Sequence, residues 1–131
     1  MDAALEQLVR ERAGGRCEYC HLPQYGSLVP YEIDYIIARK HGGRTVAGNL
    51  AVSCVYCNSY KGPNISGVDP ATGKIVRLYD PRLHKWSWDF EWMEGVLVGR
   101  TAIGRTTARV LEMNLANLVA LRETLMVDEQ S

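Results

Sequence analysis

The sequence predicts a small α+β fold, and three observations predict it. All four cysteines of the 131-residue chain fall into two Cys-x-x-Cys pairs, Cys17 with Cys20 and Cys54 with Cys57. Between the pairs runs an alternating, β-branched stretch, Tyr31-Glu32-Ile33-Asp34-Tyr35-Ile36-Ile37, which reads as a strand. After residue 100 the apolar spacing turns helical. A chain of this length is one domain's worth with a modest core. The expected organisation is therefore a single domain over 1–131, with a motif core at 13–63 and a strand-and-helix extension at 64–131.

The elements follow in order. Leu5, Leu8 and Val9 lie at helical spacing within residues 2–13, and Gly14-Gly15 supplies a left-handed stop. Gly42-Gly43 breaks the strand of 31–37, and a second strand is expected around 50–52. Asn58-Ser59-Tyr60-Lys61 then reads as a helix start. Residues 64–73 are turn-rich, with Asp69-Pro70 and Thr72-Gly73, and lead to a strand at 75–79 closed by Asp80-Pro81; this looks like a surface excursion. Trp86, Trp88, Phe90 and Trp92 recur at period two, which would put four rings on one face of a strand. A chain this small needs large apolar side chains inside, so that face reads as core and is assigned no site. Residues 96–98 look like the returning strand, and 101–113 and 115–125 like two closing helices.

The formal net charge is zero, but it is unevenly spread. Residues 39–109 hold eleven Lys and Arg against five Asp and Glu, while the flanks hold four against ten. A basic middle between acidic ends suits a nucleic-acid surface. No apolar run approaches membrane-spanning length, and the start Met1-Asp2-Ala3-Ala4-Leu5-Glu6 has no secretory pattern, so a soluble, cytoplasmic protein is expected.

That compartment bears on the cysteines. Disulfides are uncommon among reduced cytosolic thiols, and a redox Cys-x-x-Cys needs only one pair. A two-residue gap lets both sulfurs of a turn face one ion, and two such turns complete the tetrahedral thiolate shell of structural zinc. Cys17, Cys20, Cys54 and Cys57 are therefore assigned to Zn2+. The shell is closed, so this ion is structural, and its binding contributes on the order of 10 kcal/mol to folding.

The order Cys-x-x-Cys, Ile-Asp-Tyr-Ile-Ile-Ala-Arg-Lys-His-Gly-Gly, Gly-Asn-Leu, Cys-x-x-Cys-Asn-x-x-Lys-Gly resembles the zinc-containing branch of the HNH endonuclease family, over residues 13–63. The resemblance implies a ββα-metal fold, in which a hairpin and a helix hold one divalent cation against a scissile phosphate. It implies that Asp34 and Asn58 bind Mg2+ or Mn2+, and that Asn49 orients the general base. It also implies that the partner is nucleic acid, with double-stranded DNA expected. Arg39, Lys40, Arg44 and Lys61 would contact phosphates, which position a duplex without reading its sequence.

The sequence departs from the family at one decisive place. The general-base histidine expected after the metal-binding aspartate is Tyr35, and Glu32 and Tyr60 also stand where many relatives carry histidine. A phenol ionises near ~10 and an imidazole near ~6.5, so at neutral pH roughly one phenol in a thousand is a base. Tyr35 or Glu32 would be an unusual base, and His41 is a further candidate. The expectation is a metal-dependent endonuclease with impaired activity. The alternatives are an inactive DNA-binding module and a structural zinc module for protein contacts.

Overall fold

A computed structural model describes residues 1–130. The fold is α+β, with three two-stranded antiparallel sheets and five α-helices among the described residues. Helix α1 (Ala3–Ala13) begins at Asp2, whose carboxylate accepts a hydrogen bond from the Leu5 N–H at 2.8 Å, and stops at Gly14 in the left-handed region. Strand β1 (Glu32–Tyr35) pairs with β2 (Leu50–Ser53), with Asp34 opposite Ala51 and Glu32 opposite Ser53. β2 runs directly into α2 (Val55–Lys61), so β1, β2 and α2 form one compact unit.

Beyond it come the hairpin β3 (Ser66–Val68) and β4 (Ile75–Arg77), the helical turn α3 (Trp86–Asp89), the hairpin β5 (Phe90–Met93) and β6 (Val96–Gly99), and helices α4 (Ala102–Val110) and α5 (Ala116–Gln130). The buried residues form one cluster that includes Val9, Tyr19, Leu50, Leu78, Phe90, Leu97, Leu111 and Met113. The C-terminal hairpins thus pack on the same core as the β1–β2–α2 unit. α4 lies so close to the chain that a Cβ at Gly104 would sit 2.0 Å from the Asp89 carbonyl oxygen. No helix among the described residues is long and apolar enough to cross a membrane.

Three local expectations are corrected. Trp86, Trp88, Phe90 and Trp92 do not share a strand face, because residues 86–89 form a helical turn and extended backbone begins at Phe90. The switch is fixed at Asp89, whose buried carboxylate takes the Thr101 hydroxyl at 2.5 Å and whose carbonyl takes the Arg100 N–H at 2.8 Å. Trp86, Phe90 and Trp92 consequently pack together, with centroids 5.4 and 5.6 Å apart, while Trp88 is 64% exposed. The turn-rich stretch contains a strand, β3, whose central Gly67 lies against Val110 and gives no apolar signal. Helix α2 starts three residues earlier than expected because the Cys54 sulfur caps it, accepting the Cys57 N–H at 3.4 Å.

Candidate functional site

The cysteines come together. Cys17 and Cys20 lie on the turn after α1, Cys54 and Cys57 at the start of α2, and all four are buried free thiols. Their sulfur atoms lie within 4.8 Å of one another. In each pair the second backbone N–H points at the first sulfur, at 3.5 Å for Cys20 to Cys17 and 3.4 Å for Cys57 to Cys54. Such N–H groups favour thiolate, the form that binds metal. Hydrogen bonds from Cys17, Cys20 and Cys57 hold the Cys54 thiol well below its ordinary range, and hydrogen bonding to Cys17 pushes Cys20 and Cys57 up. Four sulfurs this close cannot all ionise unless a cation joins them, so the donor set is compatible with a closed zinc site. An ion there would tie the end of β2 and the start of α2 to the turn after α1.

Beside this cluster Asp34 points inward from β1. Its Oδ2 accepts the Tyr19 hydroxyl at 2.7 Å and lies 3.0 Å from Lys61 Nζ, and its Oδ1 lies 3.3 Å from the same ammonium. Lys61 also donates to the Tyr35 carbonyl at 3.1 Å. Asp34 is 6% exposed and Lys61 2%. Burial pushes the Asp34 carboxyl up from its ordinary value, opposed by the Lys61 charge and then by the Tyr19 hydrogen bond. The Lys61 ammonium, expected on a phosphate, is held inside the fold against a carboxylate 27 residues away. Tyr19 went unrecognised in the sequence, where its only distinction is its place inside Cys17-Glu18-Tyr19-Cys20.

The remaining site residues separate into two groups. Asn58 Nδ2 donates to a Glu32 carboxylate oxygen, joining α2 to the exposed end of β1. Tyr35 follows Asp34 on the strand and so points to the other face, where its hydroxyl meets the Thr45 hydroxyl at 2.9 Å. Asn49 clasps the intervening loop. Its Oδ1 accepts the Ile37 N–H at 2.8 Å, and its Nδ2 donates to the carbonyls of Ile37 and Arg44 at 3.0 Å each. Asn49 thus holds backbone at both ends of the loop that carries Arg39, Lys40 and Arg44, all three exposed. His41 is exposed on the same loop, and Tyr60 is exposed on α2.

The other two imidazoles are committed elsewhere. His21 stacks on Trp86 with centroids 4.0 Å apart, and burial lowers its pKa to about 4. His84 Nδ1 accepts the Asp80 N–H at 2.9 Å.

Compared with known proteins, residues 17–64 match the HNH endonuclease family model. No curated protein and no solved structure matches the chain.

Proposed function

With an HNH endonuclease domain at residues 17–64 as the premise, we propose that the chain binds duplex DNA and has lost most of its capacity to hydrolyse it. The observation that carries this reading is the engagement of both Asp34 oxygens by Tyr19 and Lys61. A divalent cation at Asp34 and Asn58 does not fit that arrangement. The cation would displace a buried ammonium already paired with the carboxylate, and the Asn58 amide is turned to Glu32. Of the candidate bases, His21 and His84 are engaged and Tyr35 is turned to Thr45, which leaves His41, exposed on the loop. Hydrolysis that needs a positioned base loses on the order of 10²–10⁴-fold without one.

Binding has the parts it needs. Zn2+ held by Cys17, Cys20, Cys54 and Cys57 would brace the unit without offering an open coordination position. Arg39, Lys40 and Arg44, on the loop that Asn49 closes, would take phosphates of either strand without reading bases.

The test pairs a fluorescent duplex, followed by anisotropy, with nicking of supercoiled plasmid in magnesium or manganese. Retention that falls steeply with salt, and nicking no faster than a chelator control, is the expected result. Rapid metal-dependent nicking abolished by Asp34→Asn would overturn it. Failure to retain DNA at low salt would leave the protein-contact reading.

A further inference from the structure

Arg122, on α5, carries a charge that the fold buries without a carboxylate. The side chain is 2% exposed. Its Nη2 donates to the Met113 carbonyl and, at 3.3 Å, to Asn114 Oδ1, both of them uncharged acceptors. Among the described residues no Asp or Glu pairs with it, and its buried Nε has no hydrogen-bond partner. A buried ion is costly unless an opposite charge compensates it, so the place of this one calls for an anion.

The layers around Arg122 lead to the cysteines. Its guanidinium lies over the Trp92 ring at 5.5 Å, Trp92 packs on Trp86 with centroids 5.6 Å apart, and Trp86 Nε1 donates at 2.9 Å to the carbonyl of Tyr19, inside the Cys17–Cys20 turn. Met113, whose carbonyl takes Nη2, belongs to the same buried cluster as all four cysteines. Burial lowers the Arg122 pKa, and the charges of Cys20, Cys57, Cys54 and Cys17 oppose it, in that order. Four crowded thiols without a cation cannot all ionise, whereas four thiolates around one divalent ion keep two negative charges.

We propose that Arg122 is the counter-charge of the metal-loaded four-cysteine site, raising its affinity for zinc and tying α5 to the metal. The inference rests on the zinc assignment above. The coupling is reciprocal: as far as the guanidinium favours zinc, zinc favours the docked α5, and chelation leaves a buried cation uncompensated. The ligands come from the turn after α1 and the start of α2, so this residue would bring the C-terminal helix under the control of the same ion.

The test measures zinc affinity of the full-length protein by competition with a chromophoric chelator, for the parent, Arg122→Met and Arg122→Lys. Arg122→Met removes the charge and keeps an unbranched side chain. It is expected to weaken zinc about 10- to 100-fold, the loss usual for residues that support a metal's ligands without touching the metal. Arg122→Lys keeps the charge and is expected to keep most of the affinity. Cobalt in place of zinc gives a second readout. A positive charge lowers the energy of nearby sulfur electrons, so its loss in Arg122→Met is expected to move the sulfur-to-cobalt charge-transfer band to longer wavelength, a direction that loosened packing does not dictate.

If Arg122→Lys loses as much zinc affinity as Arg122→Met, the guanidinium acts through its bonds to Met113 and Asn114, and the proposal falls. It falls equally if Arg122→Met binds zinc as tightly as the parent, or leaves the cobalt band in place. Should Arg122→Met not fold, Arg122→Lys decides: folded protein with the parent's zinc affinity and cobalt band supports the counter-charge, and failure of this variant to fold overturns it. A parent that takes up no zinc sinks the zinc assignment, and this inference with it.

Discussion

The ammonium of Lys61 touches Asp34 and the Tyr35 carbonyl, and the same carboxylate holds the Tyr19 hydroxyl, so three segments of chain meet at one buried charge pair. Removing one partner of such a pair leaves an uncompensated charge and costs about 3–5 kcal/mol, whereas removing both charges costs much less. Lys61→Met is accordingly expected to lower stability by about that amount in urea unfolding, and Asp34→Asn combined with Lys61→Met to recover a large part of it. Equal midpoints for the single and double variants would show that the ion pair is not what the fold depends on. Asp34 was singled out in the sequence because a motif surrounds it. The burial of Lys61 was not, since a lysine at the end of a short helix reads as solvated and only a partner far along the chain brings it inside. Asn49 was singled out in the sequence as the residue that orients the base, and its partners, the backbone of Ile37 and Arg44, were not legible there.

At the scale of elements, the hairpin β3–β4 is fastened to α4 through its turn. Arg105 meets the buried Asp69 carboxylate with two hydrogen bonds, at 3.0 and 2.8 Å, and the turn adds the Ala71 N–H at 2.9 Å. The bond from Arg105, followed by that from Ala71, holds the Asp69 carboxyl well below its ordinary value of 3.8. A lowered carboxyl pKa gives stability that is present above 3.8 and is lost as pH falls below it towards the folded-state value. Thermal melts of the parent are therefore expected to fall through that acid range more steeply than those of Asp69→Asn, which binds no extra proton on unfolding. Parallel acid limbs for the two proteins would contradict the assignment. In the sequence Asp69 reads as a turn residue, which it is, but β3 is invisible there: three residues centred on glycine are too few to carry a period. The aromatic run misled for a related reason, since Trp86, Phe90 and Trp92 meet in space across a helix-to-strand switch that keeps their spacing even.

For the molecule as a whole, the cysteine framework was the most legible feature, because two short spacings are local and their four sulfurs meet as the donor set of one ion would. The C-terminal half was less legible, since its contribution lies in side chains such as Leu78, Phe90, Leu97 and Met113 that join a cluster shared with Val9 and Leu50. Because that cluster is continuous, removal of zinc should not stay local. Purified reduced protein is expected to contain about one zinc per chain, and chelation to abolish the near-ultraviolet signal of Trp86 and Trp92 as well as loosening the segment around the cysteines. Zinc-free protein with an unchanged spectrum would contradict this. The positions of the thiols also have a consequence for time. The two pairs stand at the ends of a loop of 33 residues, 21–53, and bringing such ends together is an entropic search that precedes any reward from β1 meeting β2. An ion caught by one pair would shorten that search when the second pair arrives, so a metal held there would govern how soon the strands find their register as well as how firmly they keep it.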